Sequence, residues 1–169
     1  EEIDAMTGPA IGRPKTATFQ LADLVGLDTF VHVAENIYPL IPNDEAREAF
    51  KIPDFLHEMV NKGLLGRKSG AGFYKMEKTP EKKFYTLDLN TLEFRDKAKV
   101  NLPEITAAKS IEDLDDRLKT LAFGKGKAGQ AIWKMLAASF SYSAMRLGEI
   151  CDQAAEIDLA VCWGFNWEL

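Results

Sequence analysis

The chain has 169 residues, 46% hydrophobic and 28% charged, with a formal net charge of -5 at pH 7. That predicts a globular protein with one ordinary core or two small coupled ones, and gives no electrostatic reason to expect a nucleic-acid backbone or an anionic membrane as partner. Apolar runs are short and broken by charge, and the opening EEIDAMTG lacks a basic-then-apolar leader, so no membrane span and a cytoplasmic site are expected.

Between Thr18 and Ile41, Leu24, Leu27, Val31, Ala34 and Tyr38 recur at helical spacing, with Asp23, Asp28 and Glu35 off the stripe. The pattern predicts one long amphipathic helix. Pro42, Asn43 and Asp44 stop it and offer a cap for a short helix, and Pro53 opens another that runs to about Lys62 and closes at Gly63. The segment from Leu64 to Lys75 is punctuated by glycine and ends on Phe73 and Tyr74, which are expected to pin the loop to the helices. Residues 76–83, MEKTPEKK, read as a solvated linker. Phe84 to Leu89 and Leu92 to Arg95 alternate around Asn90-Thr91, which predicts a β-hairpin that needs something to lean on. After Pro103 the helical pattern returns in a short helix, a charged one from about Ser110 to Ala122, and a long one from about Lys127 to Asp152. The last aligns Ile132, Leu136, Phe140, Ala144, Leu147 and Cys151 on one face. The fold class is therefore mostly all-α.

Glu2-Ile3-Asp4 recurs as Glu156-Ile157-Asp158, each followed by a short apolar helix and a glycine-bearing turn, at Gly8 to Gly12 and at Gly164. Two related helical units, residues 1–75 and 104–169, are expected to flank a hairpin-bearing linker, residues 76–103. Trp163, Phe165, Trp167 and Leu169 crowd the last seven residues, so the second copy is expected to be partial and cut short of its natural end.

Four motifs invite a chemical reading. Gly124, Gly126 and Gly129 spell G-x-G-x-x-G, and Glu149 follows about twenty residues later, where a ribose-binding acid would stand. However, the residues before Gly124 form a charged helical pattern, not the apolar strand that a dinucleotide turn requires, so the glycines read as a helix junction. Gly66-Arg-Lys-Ser69 has Arg67 where a phosphate loop needs glycine before its lysine. His57-Glu58-Met59-Val60-Asn61 has Asn61 where a zinc motif needs its second histidine, so no metal site is expected. His32 with Glu35 has the spacing of a poised general base, but reads as a helix histidine screened by its neighbours. Cys151 and Cys162 are too few for a disulfide framework and read as half-buried free thiols. By residues alone, this is a helical domain without visible chemistry.

In order, Glu2-Ile-Asp4, the Gly8 to Pro14 turn, Phe19-Gln-Leu-Ala-Asp-Leu-Val-Gly-Leu-Asp-Thr29 and Gly66-Arg-Lys-Ser-Gly-Ala-Gly-Phe-Tyr-Lys75 resemble the C-terminal domain of the 3-hydroxyacyl-CoA dehydrogenases. The second unit, ending Ala155 to Leu169, resembles the degenerate second copy of that domain in multifunctional members, which often also carry an enoyl-CoA hydratase. The resemblance implies a helical domain like the C-terminal domain of 6-phosphogluconate dehydrogenase. It implies a parent enzyme that oxidises 3-hydroxyacyl-CoA to 3-ketoacyl-CoA with NAD in fatty-acid β-oxidation. In that family, NAD and the catalytic His-Glu pair belong to an N-terminal Rossmann domain, so this segment is expected to bind no cofactor and to be inactive alone. The family's helical domain closes one wall of the acyl cleft and supplies a dimer contact. Gly12, Pro14 and Phe19 match its G-x-P turn and following phenylalanine, and are the expected substrate-side residues, while Lys15 to Thr18 depart from its pattern. Gly129 to Trp133 lack the asparagine of its G-x-x-x-N pattern. Expected partners are an acyl-CoA, the Rossmann domain, and a second helical unit in a homodimer or a pseudo-dimer of repeats. The alternative is a non-catalytic helical oligomerisation module without ligand.

Overall fold

The computed structural model describes residues 1–77 and 81–168. They form eight helices, α1 (Glu2–Met6), α2 (Phe19–Val25), α3 (Leu27–Ile37), α4 (Asp54–Asn61), α5 (Pro103–Ala108), α6 (Leu114–Ala122), α7 (Lys127–Met145) and α8 (Ala154–Phe165), and three strands, β1 (Tyr74–Glu77), β2 (Lys83–Leu87) and β3 (Phe94–Asp96). The protein is mostly α with one small antiparallel sheet, ordered β1-β2-β3. The chain divides into two compact units, Glu1 with Phe19–Lys99, and Glu2–Thr18 with Val100–Leu169. These units cut across the sequence segments, because the first turn and helix of the chain cluster with its last seventy residues.

In the first unit, the helix predicted from Thr18 to Ile41 is two helices. Gly26 adopts φ +102°, a conformation an L side chain rarely takes, and turns the Leu27 N–H out of the ladder to the carbonyl of Leu65 at 3.1 Å. The chain then tightens into a 3-10 turn at Tyr38–Leu40 around Pro39. Leu27, Val31 and Ala34 of the predicted stripe are buried, and Leu27 and Val31 pack with Leu56 and Met59 of α4, Phe73 and Leu87. Burying a side chain such as Leu27 contributes about 1.5–3 kcal/mol. Pro53 precedes α4 and Gly63 follows it at φ +74°.

The predicted hairpin exists and leans on a third strand. β1 pairs with β2, Tyr74 opposite Thr86 and Glu77 opposite Lys83, and takes Met76 and Glu77 from the segment read as linker. Lys78 to Pro80 of that segment lie outside the described residues. β2 pairs with β3, Thr86 opposite Arg95 and Leu87 opposite Phe94. The connection is longer than the two-residue turn predicted at Asn90-Thr91. The Asp88 carboxylate accepts from the N–H groups of Asn90 and Thr91, and Leu92 takes the left-handed conformation at φ +54°. Asp88 thus offers the backbone a side-chain acceptor, whereas Asn-Thr does not favour the positive φ at both central positions that a tight hairpin turn needs.

In the second unit, Met6, Ile11, Leu102, Ile105, Leu121, Ile132 and Leu136 form a helical core. α7 ends at Met145, short of the predicted Asp152, because Gly148 turns the chain at φ +80° and donates to the Cys151 carbonyl at 2.7 Å. Of the predicted α7 stripe, Ile132 and Leu136 are buried and Phe140 is 60% exposed. A capping box of Gln153 and Glu156 starts α8. The repeated Glu-Ile-Asp opens α1 and begins at the third residue of α8, but Asp4 is buried and accepts from the Thr18 N–H, whereas Asp158 is exposed.

Candidate functional site

The expected substrate-side turn follows α1. Pro9–Ile11 make a 3-10 turn that ends on Gly12 at φ +70°, a conformation that favours glycine, and a Cβ there would come within 2.8 Å of a Leu114 methyl, which would have to shift. Arg13 stacks over Trp167 at 3.7 Å, and burial pushes its guanidinium below the ordinary arginine value. Pro14 is half-buried, its carbonyl accepting from Ala17. Gly12 and Pro14 belong to the second unit, whereas Phe19 belongs to the first and packs edge-on against Phe73 with ring centroids 4.5 Å apart. The three residues expected together therefore do not share one unit.

A carboxylate that the sequence reading placed off the apolar stripe organises the first unit. Asp23 is 4% exposed, and its oxygens accept from the N–H groups of Phe73 at 2.8 Å and Tyr74 at 2.9 Å. Gly66 and Gly72 are pressed so closely on Asp23 that a Cβ on either would collide with it. The run from Phe19 to Thr29 and the glycine-rich segment from Gly66 to Lys75 thus close on each other through one buried anion. Ser69 secures the loop, accepting from the Leu65 N–H at 2.9 Å. The missed signal was a lone acid between Ala22 and Leu24 in a chain that also holds a glycine-dense loop rich in backbone donors.

Beside this junction lies a cleft of about 530 Å3, whose lining includes Arg67, Lys75 and Lys97 with Tyr74, Met76 and Phe84. The strand register decides which side chains share a face. Tyr74, Met76 and Phe84 lie together, with Lys97 donating its N–H to the Phe84 carbonyl at 3.1 Å and its ammonium 5.9 Å from the Phe84 ring. Lys75 borders the cleft from its place between Tyr74 and Met76, but its ammonium lies on the other face of the sheet, paired with Glu77 at 2.8 Å and 5.8 Å from the rings of Tyr85 and Phe94. That pairing raises the Lys75 pKa and lowers that of Glu77. Cations and rings of this kind bind and orient a ligand; they do not form a proton-transfer pair.

The remaining motifs have structural partners. The G-x-G-x-x-G turn follows α6, not a strand, and the carboxylate of Glu104 lies against Gly126 and accepts from the Ala128 N–H at 3.1 Å. The start of α7, where a phosphate would sit, is filled by the protein's own anion. Gly129 packs against the Gly124 backbone too closely for a Cβ. His32 pairs with Asn36 at 3.0 Å, and Glu35 reaches His57 at 3.8 Å instead of His32. Among the described residues no group of three His, Cys, Asp or Glu side chains could hold a metal ion, and no helix is long and apolar enough to cross a membrane. Cys151 and Cys162 are half-buried thiols outside any disulfide.

Residues 1–76 match the family described as "3-hydroxyacyl-CoA dehydrogenase, C-terminal domain". A "Probable 3-hydroxyacyl-CoA dehydrogenase" of Bacillus subtilis is 45% identical over 168 residues, which is 99% of this chain and 21% of that protein. A protein of the same name from Deinococcus radiodurans is 49% identical over 77 residues, 46% of this chain and 21% of its own length. A protein of Rickettsia felis, named as a fatty acid oxidation complex trifunctional enzyme, is 25% identical over 168 residues, 98% of this chain and 22% of its own. The chain thus spans about a fifth of the length of these curated relatives. No solved structure shows significant similarity to it.

Proposed function

We propose, because residues 1–76 match the 3-hydroxyacyl-CoA dehydrogenase C-terminal domain family, that this chain is the helical substrate-side and dimerisation part of such an enzyme. The parent would be an NAD-dependent dehydrogenase of cytoplasmic fatty-acid β-oxidation, converting 3-hydroxyacyl-CoA to 3-ketoacyl-CoA. The observation that carries this is the closure of Phe19 to Thr29 on Gly66 to Lys75 through Asp23, since those are the segments that bear the family resemblance. Gly12, Pro14 and Phe19 would line the acyl side. The residues at Gly124 do not fit NAD, as Glu104 fills the anion position and a helix precedes the turn. The nicotinamide and the hydride-transfer residues would belong to another domain of a longer protein, and the 169 residues alone would not turn over substrate.

Dimerisation is supported by an apolar surface on α2, α3 and the turn after them, where Leu24, Val25, Phe30, Val33 and Leu40 are exposed. A second helical unit would cover it. Light scattering across concentration should give a dimer that Leu24→Asp with Phe30→Asp converts to monomer, and calorimetry should show weak binding of acetoacetyl-CoA. Unaided turnover of 3-hydroxybutyryl-CoA would refute the assignment of roles. The alternative, an oligomerisation module without ligand, is favoured by the equally exposed Phe140, Ile150, Trp163 and Phe165 of the second unit. It predicts the same dimer with no heat from acetoacetyl-CoA.

A further inference from the structure

The cleft of the first unit is lined by none of the residues assigned to the acyl side above, and we infer that it binds a phosphorylated nucleoside. Arg67 and Lys97 would take the phosphate, and Tyr74, Met76 and Phe84 the flat base. Its volume, about 530 Å3, lies within the range of about 300–1,000 Å3 typical of small-molecule sites. Its chemistry has two parts that coincide in few ligands other than nucleotides. One is a cationic rim: among the described residues Arg67 and Lys97 carry no ion pair. Asp23, the acid among the lining residues, is buried and already accepts from two backbone N–H groups. The other is an apolar floor left open to water: Met76 and Phe84 are 41% and 51% exposed, on one face of the sheet with Tyr74. A base stacked on Phe84 would cover that surface while Lys97, already beside the ring, meets the phosphate. Arg67, on a 3-10 turn between glycines, would present its planar donors to the same group. The Lys75 ammonium is committed to Glu77 on the opposite face and stays outside the interaction.

The test is a titration of the 169-residue chain with AMP, followed by NMR of the Met76 methyl and the ring resonances of Tyr74 and Phe84. Saturable shifts confined to those residues are expected, weakening severalfold as NaCl rises from about 50 to about 500 mM. Arg67→Met and Lys97→Met should each weaken AMP at least fivefold, Phe84→Ala likewise, and Lys75→Met less than twofold. CoA and adenosine 3′,5′-bisphosphate distinguish the two sources of such a group. If both bind at least fivefold more tightly than AMP, the natural ligand is the nucleotide end of CoA; if AMP binds as well as they do, it is a free mononucleotide. The proposal is overturned if adenosine binds as well as AMP, if Arg67→Met and Lys97→Met leave AMP binding unchanged, or if the shifts fall elsewhere. It stands apart from the dehydrogenase assignment. Acetoacetyl-CoA shifts at Met76 and Phe84 that excess AMP removes report this cleft, and acetoacetyl-CoA binding that survives excess AMP reports the acyl side, so each assignment fails by itself.

Discussion

Each compact unit closes a glycine-dense turn with one of its own carboxylates, but at very different depths. In the first, Asp23 is 4% exposed and receives two backbone N–H groups from the turn that it closes. In the second, Glu104 is half-buried and receives one, from Ala128 at the start of α7. The glycines of this chain make room for internal anions, and burial decides how much each anion matters. A carboxylate shielded from water leaves stranded donors behind when removed, whereas water replaces a half-exposed one.

The largest expected effect follows from that depth. Asp23→Ala should lower stability by about 3 kcal/mol in urea denaturation, because two N–H groups lose a charged acceptor in a buried place. Gly72→Ala should cost a similar amount, since its Cβ would meet the Asp23 carboxyl carbon at 2.8 Å and the Gly66 Cα at 2.6 Å. A loss under about 1 kcal/mol for both would erase the contrast between the units.

Glu104→Ala should cost only about 1 kcal/mol, the usual worth of a helix-start acceptor. Gly126→Ala displaces that same side chain, so the double variant should lose less than the two single losses added together. Full additivity in thermal melts would show that Glu104 and Gly126 do not share a site.

A smaller effect appears in acid. Arg95 above all, with further hydrogen bonds from Ala98 and Thr86, holds the Glu1 carboxyl down from 4.5 to about 2. The folded pKa lies below the unfolded one, so this stabilisation is complete above pH 4.5 and disappears as pH falls from there towards 2. Glu1→Gln should remove roughly 1 kcal/mol at neutral pH and flatten the stability profile over that window. Least of all, Lys127→Met, which breaks the exposed pair with Glu2, should change stability by less than about 0.5 kcal/mol.

Much of the secondary structure was legible. Pro53, Gly63 and Pro103 mark real helix boundaries, and Leu27, Val31, Ile132 and Leu136 are core because apolar period is a local property of the sequence. The breaks inside the long helices were not legible. Gly26 and Gly148 each sit within an otherwise good helical pattern, and their positive φ shows only where the freed donors go, from Leu27 to the distant Leu65 carbonyl and from Gly148 to the nearby Cys151 carbonyl. The cleft escaped for a related reason. Arg67, Phe84 and Lys97 are far apart in sequence, and strand pairing through a segment read as linker brings them to one opening.

By itself, the sequence determined a mostly helical protein with a hairpin, the match of its first 76 residues to a dehydrogenase C-terminal domain, and the absence of a strand before the Gly124 turn. Each rests on propensity, period or order along the chain. Tertiary structure alone decided that Asp23 is an internal ligand, that Glu104 occupies the anion position of α7, and that Glu1 and Glu2 join different units. A carboxylate looks the same in sequence whether water or a backbone amide solvates it, and only the packed chain settles which.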